Sequence, residues 1–186
     1  MRISRCAHLA ALPLLTLTCH PAARASDPEL ASATRFVHSF YRWYVASAIK
    51  GSGWQDALRD STALFAPALV GALRADADAQ RQAKPSDGIV GLDWDPFLAA
   101  QDNCDGADEY AVGGARRQRQ AVLVNVRGKC WQRKDTLPDV VAEVGRSGSS
   151  WVFVNFLHGA DTSDLLTDLD NLRREREAWQ RRQRPN

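Results

Sequence analysis

The chain has 186 residues, 45% of them apolar and 25% charged, with a formal net charge of +2. That length carries one domain with a core of its own, and the ordinary apolar content excludes a disordered or fibrous chain. So even a charge balance excludes a broad nucleic-acid surface.

The beginning reads as an export signal. Arg2 and Arg5 form a basic lead, Ala7–Leu17 an apolar run, and Ala23-Arg24-Ala25 a small-residue cleavage site before Ser26. The run is too short to cross a bilayer as a helix. Lipid attachment at Cys19 is the weaker reading, because Thr18 and Thr16 stand where a small and an aliphatic residue belong. Cleavage near Ala25 removes three arginines and no acid, leaving 21 basic against 22 acidic residues. The expected location is the periplasm, with a single domain over residues 26–180 and no transmembrane segment in the mature chain.

Ser26–Ala31 reads as a polar lead-in. From Ser32 to Lys50 the apolar residues recur at three and four, which predicts a helix ended by Gly51-Ser52-Gly53. Its aromatic cluster, Phe40-Tyr41-Trp43-Tyr44, reads as core more readily than as a pocket mouth. Residues 54–66 are ambiguous, with a short helix at Ser61–Phe65 as one reading. Pro67 opens a second helix to about Ala83, whose far end, residues 74–81, reads as a solvated face. In Leu92–Cys104, Asp95 before Pro96 has the pattern of an N-cap followed by the first helical position. A short helix is expected there, with Phe97 and Leu98 turned inward.

After Cys104 the period changes to two. Glu109–Val112 reads as a short strand broken by Gly113-Gly114. Gln120–Arg127 alternates, with Val122, Val124 and Val126 on one face and Leu123, Asn125 and Arg127 on the other. Asp139–Gly145 and Ser150–His158 flank a turn and predict a hairpin. Ser163 is expected to cap a helix over Asp164–Trp179, leaving residues 181–186 as a frayed basic tail. The last strand is apolar on both faces, so either the terminal helix covers the second face or another chain does. The candidate partner face is Leu123, Val141, Trp151 and Phe153.

No catalytic, cofactor or metal-site signature stands out. His38 and His158 lack a nucleophile in a recognisable context, and Gly145-Arg-Ser-Gly lies in a hairpin turn, where a nucleophile elbow cannot form. Asp102, Asp105, Asp108 and Glu109 form an acidic loop without the calcium-loop spacing. Cys104 and Cys130 remain as one pair in an oxidising compartment, which reads as a disulfide, with two free thiols as the alternative.

Three segments, Phe40-Tyr41-Arg-Trp43-Tyr44, Asp95-Pro96-Phe97-Leu98-Ala-Ala-Gln101-Asp102 and Trp151-Val-Phe-Val-Asn155-Phe, resemble a family of exported bacterial proteins of unassigned function related to YbjP/YqhG-like envelope proteins. The resemblance covers about residues 32–172. It implies a nuclear transport factor 2-like (cystatin-like) cone, with helices packed on the concave face of a curved antiparallel sheet, and agrees with the helices-then-strands order of an α+β chain. It implies no activity.

Two functions follow as expectations. One is a non-enzymatic periplasmic protein-binding domain, such as an immunity-type inhibitor of a cell-wall-targeting toxin or an accessory subunit of an envelope complex. Its partner, or a second copy of the chain, would meet the outer sheet face. The other is a small-molecule or catalytic pocket inside the cone, drawing on Tyr41, Tyr44, Asp93, Asp102, Arg127 and Asn155.

Overall fold

The computed structural model describes residues 27–51, 53–84, 88, 90–101, 110–128, 137–159 and 163–183. Residues 1–26, on which the export-signal and Cys19 readings fall, the acidic stretch with Asp102, and both Cys104 and Cys130 lie outside the described residues. So the disulfide reading has no geometry to meet here.

The described chain is α+β, with four helices and one four-stranded antiparallel sheet: α1 (Pro28–Ala48), α2 (Trp54–Asp60), α3 (Pro67–Gln82), β1 (Tyr110–Gln118), β2 (Ala121–Gly128), β3 (Val140–Ser147), β4 (Ser150–His158) and α4 (Leu165–Gln183). The strands stand in sequence order, each hydrogen-bonded to the next. Helix α1 lies across β1 and β2, while α3 packs on α4 and both touch β4. None of the helices is long and apolar enough to cross a membrane.

Helix α1 starts earlier than the periodicity predicts. Asp27 accepts the Glu29 N–H at 3.0 Å and Pro28 takes the first helical position, so the polar lead-in is helical from Pro28 on. The ambiguous stretch resolves into α2 and a 3₁₀ turn at Thr62–Leu64. No helix forms after Pro96. Residues 96–99 make a turn, which Ala99 ends at φ 53° and the Asp95 N–H closes on the Ala100 carbonyl at 2.8 Å. Inside it the Leu98 N–H donates to the Asp95 carbonyl at 3.3 Å, the three-residue bond of a turn. Strand β1 runs straight through Gly113-Gly114, because Gly114 at φ +68° is absorbed as a bulge opposite β2. At the far end α4 continues to Gln183, so Arg181 and Arg182 belong to a helix and not to a frayed tail.

The expected solvated face at residues 74–81 is solvated at Arg74, Asp78 and Arg81 but not at Asp76. Asp76, in the middle of α3, is 0% exposed. Its carboxylate accepts the Leu92 N–H at 2.9 Å, the Gln80 amide at 3.0 Å and the Arg176 guanidinium at 2.6 Å. Charged periodicity reads as surface only while no later element arrives to cover it, and α4 does. Gly91 completes the joint: at φ +83°, a Cβ there would meet Asp76 Oδ2 at 2.6 Å.

The bulge in β4 redistributes its side chains. Glu143 pairs with Asn155 but Val144 pairs with Phe153, so Val154 has no partner and the alternation slips by one. Trp151, Phe153 and Phe156 therefore share the inward face with Val122, Val124, Val140, Ala142 and Val144. The Trp151 indole donates to Ser32 Oγ of α1 at 3.0 Å. This corrects the candidate partner face. Trp151 and Phe153 belong to the core, and Leu123 and Val141, on the opposite side, are buried as well.

Because breaking a buried ion pair strands the surviving charge, Asp76→Ala should lower the unfolding free energy by about 3 kcal/mol. Arg176→Ala should cost a comparable amount, the double variant less than the sum, and exposed Asp78→Ala under about 0.5 kcal/mol. Urea denaturation of the four variants measures this.

Candidate functional site

The polar groups converge on the turn at residues 95–100. Helix α1 presents Tyr41 and Tyr44 one turn apart on its inward face, both fully enclosed among aromatic rings. Phe40 stands between them and touches Phe65, Phe97 and Phe153 with ring centroids 5.7, 5.7 and 4.7 Å away. A buried phenol needs an acceptor, and the turn supplies two. The Tyr41 hydroxyl donates to the Phe97 carbonyl at 2.6 Å, and the Tyr44 hydroxyl donates to Asp95 Oδ2. Asp95 Oδ1 accepts the Phe97 and Leu98 N–H groups at 2.9 and 3.1 Å, which is the capping role its sequence context predicts, performed on a turn.

From the other side, His158 at the end of β4 places Nε2 2.9 Å from the Pro96 carbonyl, which makes Nε2 the protonated nitrogen. Its Nδ1 is sealed without a hydrogen bond, and Asp168 Oδ2 at 3.8 Å is beyond hydrogen-bonding reach. Trp94 packs edge-on against the imidazole with centroids 4.6 Å apart.

Burial decides the protonation of all four groups. It lifts both tyrosine hydroxyls far above the ordinary phenol value, with the Asp95 charge adding to it, so both remain donors. It also raises the Asp95 carboxyl, outweighing the three hydrogen bonds that favour the carboxylate. It lowers His158, outweighing the Pro96 carbonyl and the Asp168 charge.

The five described polar residues of the expected interior pocket do not assemble. Tyr41 and Tyr44 meet at the turn, and Asp93 is exposed beside it. Arg127, in register with Ala111, alternates onto the opposite face of the sheet, in phase with Leu123. Asn155, in register with Glu143, shares that face and is occupied there. It donates to Asp164 Oδ1 at 2.8 Å and accepts the Leu166 N–H at 3.2 Å, holding the start of α4. Asp102 lies outside the described residues. Of the two sequence-flagged histidines, His38 is exposed and His158 is part of the turn's support. Among the described residues, no group of three or more His, Cys, Asp or Glu is placed to hold a metal ion.

Two surface features were not legible beforehand. One is an open cleft of about 400 Å³ beside the turn, lined by Trp54, Leu92, Asp93, Trp94, Asp95 and Gln101 together with the α1–α2 junction. The other is a groove of about 370 Å³ between α3 and α4, with Ala79, Ala83, Val90, Leu172 and the 40%-exposed Trp179 along it. Both are assembled from residues far apart in the chain. Trp54 and Trp179 were their one sequence signal, each a tryptophan at an element end.

Comparison of the chain with protein-family models, with curated proteins and with solved structures finds no match.

The pH dependence follows from the direction of the His158 shift. A histidine whose folded pKa lies below 6.5 contributes its full stability above that value and loses it as pH falls toward the folded pKa. His158→Gln keeps an N–H donor for the Pro96 carbonyl but does not titrate. The stability advantage of the native protein over this variant should therefore shrink as pH falls below 6.5, as followed by thermal or urea unfolding at a series of pH values. Asp95 acts in the opposite sense, its contribution being lost as pH rises above the ordinary carboxylate value.

Proposed function

We propose that this chain is an exported, non-enzymatic protein-binding domain of the cell envelope, built as a nuclear transport factor 2-like cone of the YbjP/YqhG-related kind. In this reading it serves as an immunity-type inhibitor of a cell-wall-targeting toxin or as an accessory subunit of an envelope complex. The observation that carries it is how the convergent polar groups are used. Tyr41, Tyr44 and His158 are spent on the backbone and cap of one turn, and Asp95 accepts three hydrogen bonds that hold that turn. Groups closed on the fold in this way are structural supports, whereas acid–base chemistry needs a titrating group that reaches a reacting atom. The helices-then-antiparallel-sheet order supports the cone, and the signal-like residues 1–25 support export.

The partner surface moves from the sheet to the α3–α4 groove. The outer-face residues Leu123 and Val141 are buried, while Trp179 stands half out of a groove that mixes apolar residues with Gln82, Glu175 and Gln180, as anchor residues framed by a polar rim do. A photo-crosslinking amino acid replacing Trp179, introduced in the native host, should give one discrete protein adduct. The same probe at Gln118, exposed at the end of β1, should give none. An absence of adduct from residue 179 and from the exposed Trp43 removes the protein-binding reading.

A second reading, a small-molecule site, is favoured by one observation. The open cleft beside the turn places two indoles next to two carboxylates and an amide.

A further inference from the structure

We infer that α4 pairs antiparallel with α4 of a second copy of this chain, along the flank that carries Trp179; this rests on the reading of Trp179 as the anchor of a protein interface. The charges of α4 carry the argument. On a helix of 3.6 residues per turn, Glu175, Trp179 and Arg182 follow one another at four and three, so they stand in one row. All three are exposed, Trp179 at 40%, and the half-buried Leu172 continues the row toward the core.

The two flanks of α4 treat their charges differently. Away from this row, Arg173 bridges Asp170 and Glu177 at 2.6 Å each, and Arg181 lies 4.0 Å from Glu177. Within the row, Glu175 and Arg182 make no ion pair or hydrogen bond among the described residues. They are separated by about 10 Å along the axis, too far for one to meet the other in the same helix.

Reversed end to end, the row complements itself. Two copies of α4 set antiparallel about a two-fold axis between Ala178 and Trp179 place Glu175 of each opposite Arg182 of the other. The same axis lays each Trp179 over Ala178 of the other copy, a half-buried small residue that leaves room for an indole. A parallel pair would set Glu175 against Glu175 and Arg182 against Arg182, and like charges in contact oppose association. Tryptophans at the centre with charges at the rim are the anatomy of a protein interface. Two or three helical turns make a small contact, so the dimer is weak, with a Kd on the order of 10–100 μM.

Sedimentation equilibrium of the purified chain, up to about 1 mM, is the test. The native chain should dimerise, and Trp179→Ala should weaken association about thirtyfold or more. Glu175→Arg and Arg182→Glu each set like charges against one another in their own dimers and should weaken it about tenfold or more. The double variant, and an equimolar mixture of the two single variants, should associate as the native chain does, because opposite charges face each other again. That recovery also shows the single variants to be folded. A native chain that stays monomeric at about 1 mM overturns the pairing. In that case one discrete adduct of another protein with the photo-crosslinking residue at position 179 leaves the protein-binding reading standing, and no adduct there or at Trp43 removes both. A dimer that neither single variant weakens, or that neither the double variant nor the mixture restores, overturns the pairing through α4.

Discussion

The structure depends on a single enclosed turn. Residues 95–100 break the hydrogen-bonding pattern of both the helical and the strand-rich parts of the chain, and yet they sit at the centre of the core, with Phe97 and Leu98 sealed from solvent. Backbone groups in such a place must find partners or cost about 1–3 kcal/mol each. Tyr41, Tyr44 and His158 bring those partners in from α1 and β4, so the same bonds that satisfy the turn also pin the first helix and the last strand to it. The carboxyl of Asp95 shows the compromise involved. Three hydrogen bonds pull its pKa down and burial pushes it up, and burial prevails.

A second buried joint works on the opposite principle. At the turn, neutral donors meet two backbone carbonyls and the Asp95 carboxyl. Between α3 and α4, a full charge is buried and met by another. Asp76 reaches three elements at once: its own helix through Gln80, the loop through the Leu92 N–H, and α4 through Arg176. Gly91 is the accommodation that makes this possible, since any side chain there would occupy the space of the carboxylate. The two joints meet at Leu92, three residues before Asp95, so the path of the chain into the turn is held at both ends. The cleft carrying Trp54 takes Leu92–Asp95 as one wall, and the groove carrying Trp179 takes the two residues before them, Val90 and Gly91.

Much of this was legible in the residues themselves. Period 3.6 in α1 and α3, period two in β2, and the turn chemistry between β3 and β4 come from local sterics and from the need to hide apolar side chains. These held because each element buries the face its own sequence marks. The capping role of Asp95 was legible for the same reason, being a bond between a side chain and the backbone two and three residues away.

What tertiary structure alone decided has a common cause: the deciding partner is distant in the chain. Asp76 reads as surface until Arg176, a hundred residues later, covers it. Trp151 and Phe153 read as outward until one unpaired residue, Val154, reverses the phase of the strand, and a bulge leaves no mark in a pattern of alternating apolar residues. Arg127 and Asn155 read as neighbours of Tyr41 and Tyr44 because polarity carries no information about which side of a sheet a residue takes. The sequence by itself therefore determined most of the long helices and strands and the cap at Asp95, which are set within a few residues. Only the folded chain decided which faces meet, because burial is a property of the whole assembly and not of any segment.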